Sequence, residues 1–167
     1  MSKKRTAIAG LVLSASALVG LVAHEGYTDK AIVPTKGDRP TVGFGSTFRG
    51  DGSPVRMGDT ITPQKALARS LAHIQKDELG IKRCVTAPLY QQEYDMMVDF
   101  AYQYGVPTLC KSSIVSRANN GDYMGSCNAY LKYRFAARFD CSTPGNKICA
   151  GVWTRQLERQ AACIGAQ

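Results

Sequence analysis

Three polar residues near the beginning of the sequence have the types and spacing needed for acid-assisted bond cleavage. Glu25 follows an apolar stretch and precedes a glycine, and Asp38 and Thr41 come shortly after it. Acid-assisted cleavage of a bond by water requires an acid that protonates the leaving atom and a second polar group that activates or orients the water. We therefore take Glu25 as the candidate acid, Asp38 as the candidate second carboxylate and Thr41 as the residue that would hold the water.

The second group is less sharply defined than the acid. Asp38 is the acidic residue nearest to Thr41, although its Gly-Asp pair is also typical of an ordinary turn. Asp29 is a weaker candidate on the same stretch. If Asp38 has no chemical role, Thr35 and Thr41 would orient water without a carboxylate base, and catalysis would depend mainly on Glu25.

The sequence lacks the residue patterns of zinc sites and of Ser-His-Asp catalytic triads. The six cysteines contain no Cys-x-x-Cys pair, and with only two histidines the spacing of zinc ligands is absent. His24 has no nucleophile or metal partner, and Ser46 and Ser112 lack a Ser-His-Asp setting. We expect neither a cofactor nor a metal.

Residues 6–23 form an apolar segment that could cross a membrane only marginally. Eight of the eighteen residues are strongly apolar, and the other ten are Ala, Gly, Ser or Thr. A helix of this length spans about 27 Å, slightly less than a hydrocarbon core of about 30 Å. Lys3, Lys4 and Arg5 precede the segment and favour a cytoplasmic N-terminus. The pattern predicts a weak membrane anchor followed by an exported domain.

A cleaved signal peptide is the alternative interpretation of this segment. Signal cleavage prefers small residues at positions −3 and −1, but cleavage after Ala23 would place Leu21 at −3. Cleavage after Ala17 fits the rule better but would leave an apolar stub. We therefore favour a retained anchor.

The composition fits one exported domain. Without residues 1–23 the chain keeps 18 basic and 13 acidic residues, a net charge of +5 that should attract anionic surfaces. The basic residues are scattered, without interleaved aromatic residues, so we expect no binding to nucleic acid. About 140 residues are enough for one core.

The six cysteines indicate three disulfides, because an even number in an exported chain is typical of a disulfide framework. One pair encloses a turn-forming Ser-Thr-Pro-Gly-Asn stretch, a second flanks a short helix-like segment, and the third is what remains. The predicted pairs, in that order, are Cys141–Cys149, Cys110–Cys127 and Cys84–Cys163.

The hydrophobic pattern changes from strand-like to helical near residue 62. Residues 27–60 combine turn residues with short β-prone pieces such as residues 41–44, which predicts a small sheet. Thr62-Pro63 is typical of a helix N-terminus, and Leu67, Leu71 and Ile74 would share one face of that helix. Further helical patterns cover residues 89–104, 112–119, 124–138 and 151–163. This layout is α+β.

Three motifs occur in an informative order. The first is His-Glu-Gly at residues 24–26 with Gly-Asp-Arg-Pro-Thr-Val-Gly-Phe-Gly-Ser-Thr at 37–47. The others are Ala-Tyr-Gln-Tyr-Gly at 101–105 and Gly-Val-Trp-Thr-Arg-Gln-Leu-Glu at 151–158. Together they resemble the phage-type lysozymes, glycoside hydrolase family 24, over residues 24–167. Joined to the weak anchor, they resemble a signal-anchor-release endolysin.

The sequence departs from that family at the second catalytic group. The family usually reads Glu-x8-Asp-x5-Thr, but the corresponding positions counted from Glu25 and from Thr41 hold Pro34 and Thr35. The spacing implies one additional residue in the loop, and Asp38 is the nearest acid that could substitute.

The resemblance implies a lysozyme-like α+β fold with a small β-sheet lobe and a larger helical lobe, preceded by an N-terminal membrane-anchor helix. Residues 1–23 would be the signal-anchor-release segment, and residues 24–167 the catalytic domain. The enzyme would be a muramidase that hydrolyses the β-1,4 bond between N-acetylmuramic acid and N-acetylglucosamine, with Glu25 as the general acid.

The resemblance also implies a partner and a location. The substrate would be peptidoglycan, and the protein would act as a monomer in host cell lysis. Residues 6–23 would first tether an inactive enzyme to the host inner membrane, and release would then place an active enzyme in the periplasm. Three alternatives remain open: a lytic transglycosylase, a secreted non-phage lysozyme with a cleaved signal peptide, and a non-catalytic envelope-binding protein.

Overall fold

The computed structural model describes residues 4–34, 37–136 and 138–167 and confirms the predicted α+β class. By contacts the chain forms two compact units, one from Ser14 to Lys76 and one combining the chain up to Leu13 with Asp77–Gln167. The helices of the described chain are α1 Ala15–Glu25, α2 Pro63–Cys84, α3 Gln91–Tyr104, α4 Val106–Cys110, α5 Ser113–Asn119, α6 Tyr123–Ala129 and α7 Ala150–Ile164. The strands are β1 Thr28–Ile32, β2 Thr41–Gly43, β3 Phe135–Ala136 and β4 Phe139–Asp140, and short 3-10 helices cover Ile8–Gly10 and Tyr130–Lys132.

Residues 6–23 do not form one continuous helix in this structure. A 3-10 turn at Ile8–Gly10 is followed by extended backbone, and Ser14 then begins α1 by accepting the Ala17 N–H at 3.2 Å with its side chain. Because Ser14 has an extended conformation, it separates the two pieces. Among the described helices, none is long and apolar enough to cross a membrane. The predicted anchor helix is therefore not confirmed, and the division into domains at residue 23 stays a prediction.

The unit from Ser14 to Lys76 contains the first sheet. Strands β1 and β2 are antiparallel, with Thr28 opposite Gly43 and Ile32 opposite Thr41. Between these two pairs there are four residue steps along β1 but only two along β2. The register shift, a bulge-like irregularity, therefore lies in β1. The sheet packs on a small core formed by Ala31, Val42, Val55, Ile61 and Ala66.

Helix α2 begins where the sequence predicts. The Lys65 N–H donates to the Thr62 hydroxyl at 3.4 Å. The predicted apolar face is only partly correct, since Ile74 is buried but Leu67 and Leu71 are 40% and 39% exposed. The buried face is instead formed by Ala66, Ser70 and Ile74, which recur every four residues. Ala66 and Ser70 each precede one of the two exposed leucines by one residue.

The predicted helix over residues 124–138 is wrong beyond its first half. Helix α6 ends at Ala129, a 3-10 turn follows, and β3 then pairs with β4. Tyr130 and Tyr133 pack their rings on Phe100 of α3, at centroid distances of 5.8 and 4.6 Å. These aromatic contacts belong to the helical core, so the two tyrosines are structural residues.

A buried charge cluster connects α3 to α7. Asp99 accepts from Arg155 at 2.7 Å and from Arg159 at 2.6 Å, and the Arg159 side chain is 1% exposed. Burial alone would raise the pKa of Asp99, but the charges and N–H donors of the two arginines outweigh it and hold this pKa below its ordinary value. The motif at residues 151–158 therefore supplies part of a structural ion network.

The three disulfides correct two of the predicted pairs. Cys141–Cys149 is confirmed, with Cα atoms 5.1 Å apart. The predicted pairs Cys110–Cys127 and Cys84–Cys163 are wrong, because the structure joins Cys84–Cys110 and Cys127–Cys163. Cys84 and Cys110 are the last residues of α2 and α4, and α6 packs against α7. Helix packing, not separation along the chain, decides these partners.

Candidate active site

Glu25 is the last residue of α1 and is half-buried. The helix ends there because Gly26 adopts a φ of +68°, while the Gly26 N–H still donates to the Val22 carbonyl at 3.2 Å. Strand β1 begins two residues later. The candidate acid is thus held on the last helical turn, directly before the sheet.

The carboxylate of Glu25 lies against a tight turn that follows β2. Val42 and Ser46 exchange two backbone hydrogen bonds of 3.0 and 3.1 Å, and Gly43 and Gly45 inside the turn have φ values of +70° and +74°. A Cβ atom on Gly45 would be 3.1 Å from Oε2 of Glu25. The glycines therefore permit both the shape of the turn and the close approach of the acid.

Gly43 has a second packing role. A Cβ atom on Gly43 would lie 2.8 Å from the Cβ of Ala66 in α2, a distance that packed side chains do not adopt. The Gly-Phe-Gly sequence pointed to this hairpin through the family motif. Only the structure shows that one glycine faces the helix and the other faces the acid.

The other candidate residues are placed less uniformly. Thr41 is half-buried at the start of β2, in the strand that leads to the turn beside Glu25. Asp38 is exposed in the preceding loop. Asp29 belongs to β1, where its carbonyl accepts the Ile61 N–H at 2.9 Å. Thr35 lies outside the described residues.

Tyr27, just before β1, and Phe44, just after β2, support the hairpin. Their ring centroids are 5.5 Å apart, and the Tyr27 hydroxyl donates to the Ile61 carbonyl at 2.7 Å. These contacts link the segment after Glu25 to the turn and to the chain before α2. Sequence reasoning did not identify this support, because a lone tyrosine gives no signal of its partner.

Arg49 and Asp59 form a second support that sequence reasoning missed. Two guanidinium N–H groups of Arg49 donate to the two carboxylate oxygens of Asp59 at 2.7 and 2.8 Å. The hydrogen bond from Arg49, together with the Arg56 N–H, lowers the pKa of Asp59 to about 2. The Asp59 carbonyl accepts the Ala31 N–H at 2.9 Å, so the ion pair fixes the outer edge of β1.

This arrangement suits chemistry that relies on a carboxylic acid and water. The described residues contain no group of His, Cys, Asp and Glu side chains that could hold a metal ion. A half-buried glutamate against a tight backbone turn, with a threonine on the strand that leads into that turn, can present a proton and position a water molecule.

Comparisons with known proteins agree with this geometry. The phage lysozyme family matches residues 22–159, a span that includes Glu25, the hairpin and most of α7. The chain belongs to the phage lysozyme family. It is therefore a glycoside hydrolase of the muramidase type, as its motifs imply.

Several phage endolysins are similar to this chain. The endolysin of Salmonella phage P22 is 29% identical over 75% of this chain and 86% of its own length. The SAR-endolysin of Pseudomonas phage phiKMV is 32% identical over 69% of this chain and 68% of its own. These relatives have the level of identity expected of distant family members.

Solved structures confirm the lysozyme-like fold. A P22 lysozyme point mutant has a TM-score of 0.76 at 25% identity and covers 92% of this chain and 99% of its own. The endolysin of Escherichia coli O157:H7 phage FAHEc1 has a TM-score of 0.80 at 24% identity, with 95% and 96% coverage.

Proposed function

We propose that this phage-lysozyme-family enzyme cleaves the β-1,4 bond between N-acetylmuramic acid and N-acetylglucosamine in peptidoglycan with Glu25 as its general acid. The supporting observation is the position of Glu25 on the last turn of α1, with Oε2 against Gly45 of the hairpin turn. A carboxylic acid held against the turn backbone has few orientations, so its proton can be directed to a leaving oxygen.

We further propose that Thr41 positions the water and that Asp38 assists it. Thr41 lies on the strand that ends in the turn beside Glu25, which supports the first role. Asp38 is exposed on a loop, so it would have to approach the water when substrate binds. Thr41 is therefore the better-supported of the two.

Three variants test these roles. Glu25→Gln keeps the shape of the side chain but cannot donate a proton, so it should remove nearly all turnover while the thermal midpoint stays close to that of the parent. Asp38→Asn should reduce turnover at least about tenfold if it assists water. Wild-type-like clearing of cell walls by Glu25→Gln would contradict the assignment of the acid. The third variant, Thr41→Val, tests the water-positioning role. A large loss of turnover in Thr41→Val together with a negligible effect of Asp38→Asn would assign the water to Thr41 alone.

The products decide between hydrolysis and transglycosylation. A lytic transglycosylase needs only one carboxylate and releases anhydro sugars, and the exposed position of Asp38 makes this comparison worthwhile. We expect reducing ends from digested peptidoglycan, detected by mass spectrometry. Anhydro ends would instead assign the non-hydrolytic reaction.

We also propose that the enzyme is stored in the host inner membrane through residues 6–23 and then released uncleaved into the periplasm. The small residues among its apolar ones support weak retention, and a 32% identical relative is named a SAR-endolysin. In the folded structure Leu11 and Leu21 are buried, whereas Val12 and Val19 are 61% and 65% exposed. The segment thus leaves apolar side chains unburied, as expected for a sequence that must also enter lipid.

Loss of the membrane potential would promote release. The potential favours keeping Lys3, Lys4 and Arg5 inside, and three charges at about 2.3 kcal/mol each per 100 mV give an upper bound of roughly 7 kcal/mol. While residues 6–23 span the bilayer, α1 cannot hold Glu25 beside Gly45. The tethered enzyme should therefore be inactive.

The release proposal is tested with apolar substitutions that the folded structure tolerates. Ser16 is exposed, and a Cβ atom on Gly20 meets nothing within 4 Å. The variant Ser16→Leu/Gly20→Leu should stay in the membrane fraction after an ionophore is added and should delay lysis. Ser16→Gln/Gly20→Ala is the matched control and should be released on the normal schedule. Lysis on schedule by the leucine variant, or a mature N-terminus after residue 17 or 23, would rule out release and leave a signal peptide.

A further inference from the structure

The unit that contains α3, α6 and α7 holds a guanidinium-binding site that none of the catalytic residues uses. Two N–H groups of Arg5 donate to the two carboxylate oxygens of Glu93, at 3.1 and 3.0 Å. The guanidinium carbon lies 4.2 Å from the ring centroid of Tyr90 and 3.5 Å from that of Tyr123. The side chain of Gln167 accepts a further Arg5 hydrogen bond at 2.6 Å. Carboxylate, aromatic rings and amide together match a planar guanidinium and suit a lysine poorly.

The site is organised by contacts that do not involve Arg5. Glu93 is 2% exposed, and its carboxylate also accepts the Tyr90 N–H at 2.7 Å and the Gln167 amide at 2.7 Å. The Gln167 amide donates in addition to the Cys163 carbonyl at 3.0 Å. Tyr90 at the beginning of α3 and Gln167 just after α7 are therefore fixed around one buried carboxylate without Arg5.

The residues after Arg5 continue along the same unit. Thr6 exchanges two backbone hydrogen bonds with Leu89, at 2.8 and 2.9 Å, and Leu11 is buried. The Leu13 N–H then donates to Glu78 at 2.7 Å, and Glu78 also accepts the Tyr94 hydroxyl at 2.8 Å. Residues 5–13, the docked segment, thus contribute hydrogen-bond donors to two buried carboxylates, Glu78 and Glu93.

We propose that this is a capture site for residues 5–13 and that Arg5 has two successive roles. The inference rests on the proposed membrane storage. While residues 6–23 span the bilayer, Arg5 is one of the cytoplasmic positive charges and the exported unit on the other side lacks it. After release Arg5 enters the site, and the docked segment is withheld from the membrane. Capture therefore makes release one-directional and fixes the chain immediately before α1, the helix that carries Glu25.

Arg5→Lys separates the two roles, because it keeps the positive charge but loses the two-pronged contact with Glu93. Lys4→Gln is the matched control, since Lys4 is the adjacent basic residue and is exposed. Tyr123→Leu removes one aromatic wall from the site without altering the membrane segment. All three are made in the full-length chain and purified in the soluble form.

Hydrogen exchange of the Thr6 and Leu13 amides measures capture, and exchange of the Phe100 amide in α3 verifies the fold. In the parent and in Lys4→Gln the Thr6 and Leu13 amides should be protected. In Arg5→Lys and Tyr123→Leu they should exchange at least about tenfold faster while Phe100 is unchanged. Arg5→Lys should also return more readily to vesicles of phosphatidylethanolamine and phosphatidylglycerol.

Two results would overturn the proposal: parent amides that are unprotected, or an Arg5→Lys variant that is as protected as the parent. Failure of the storage proposal gives a different result. In that case exported protein would begin after residue 17 or 23, whereas the full-length chain would still protect Thr6 and Leu13.

Discussion

At the scale of single residues, the proposed site depends on a glycine whose neighbour is Glu25, the proposed acid. Gly45 has a positive φ, and any side chain there would meet the Glu25 carboxylate. Gly52 provides a comparison, because it has a φ of +83° but a Cβ atom there meets nothing within 4 Å. The two positions share the same backbone requirement and differ in their contact with the acid.

Gly45→Ala and Gly52→Ala should therefore have similar effects on stability and different effects on turnover. Each forces a non-glycine residue into the left-handed region, at a cost of about 1–2 kcal/mol in unfolding free energy. Only Gly45→Ala displaces Glu25, and a misplacement of this kind should reduce kcat by about tenfold or more. Urea unfolding and turnover of cell walls measure the two effects. Equal turnover in both variants would show that the contact with Gly45 is unimportant.

At the scale of elements, the buried cluster around Asp99 joins α3 to α7 by charge and not by apolar packing alone. A buried ion pair contributes little net stability compared with an apolar replacement, but loss of one partner leaves an uncompensated charge. Asp99 neutralises both Arg155 and Arg159, so it is the sensitive member.

Asp99→Asn should lower the unfolding free energy by about 3–5 kcal/mol, because it removes the carboxylate that contacts the fully buried guanidinium of Arg159. Arg117→Gln is the control, since Arg117 and Asp122 form an exposed pair with side chains 46% and 47% accessible, and it should be much less destabilising than Asp99→Asn. The lowered pKa of Asp99 gives the sign of the pH dependence. Its stabilisation is present above the ordinary aspartate pKa of about 4 and is lost as the pH falls through the folded value. Urea titrations between pH 7 and acid conditions should show this loss in the parent and not in Asp99→Asn.

At the scale of the whole molecule, the disulfides restrict the unfolded chain by different amounts. The bridges Cys84–Cys110 and Cys127–Cys163 close loops with sequence separations of 26 and 36, and Cys141–Cys149 closes one of 8. The chain-entropy model assigns about 4 kcal/mol to the longest loop and about 2.5 kcal/mol to the shortest.

Peptide mapping without reduction should recover these three pairs in the soluble enzyme. The double variant Cys127→Ser/Cys163→Ser should be destabilised more than Cys141→Ser/Cys149→Ser, as measured by thermal unfolding. The reverse order, or a map that joins Cys110 to Cys127, would contradict the structure.

The sequence by itself determined the enzyme class, and it singled out Glu25 as the proposed acid. A Glu-Gly pair after an apolar segment and a Gly-Phe-Gly hairpin are local patterns. Each determines the backbone conformation of the few residues that form it, so it can be recognised without knowing the rest of the fold. The start of α2 followed from Thr62-Pro63 for the same reason. The charge of residues 3–5 and the small residues of the apolar segment likewise suggested two environments for one stretch of chain.

Only the tertiary structure decided which distant residues become partners. Cys84 pairs with Cys110, and Glu93 with Arg5, because helices bring their ends together across many intervening residues. Helix α6 ends at Ala129, and Tyr130 and Tyr133 after it pack on Phe100 of α3, a contact between distant parts of the chain. Contacts of this kind depend on the packing of whole elements, and packing is a property of the folded chain that no short stretch of sequence contains.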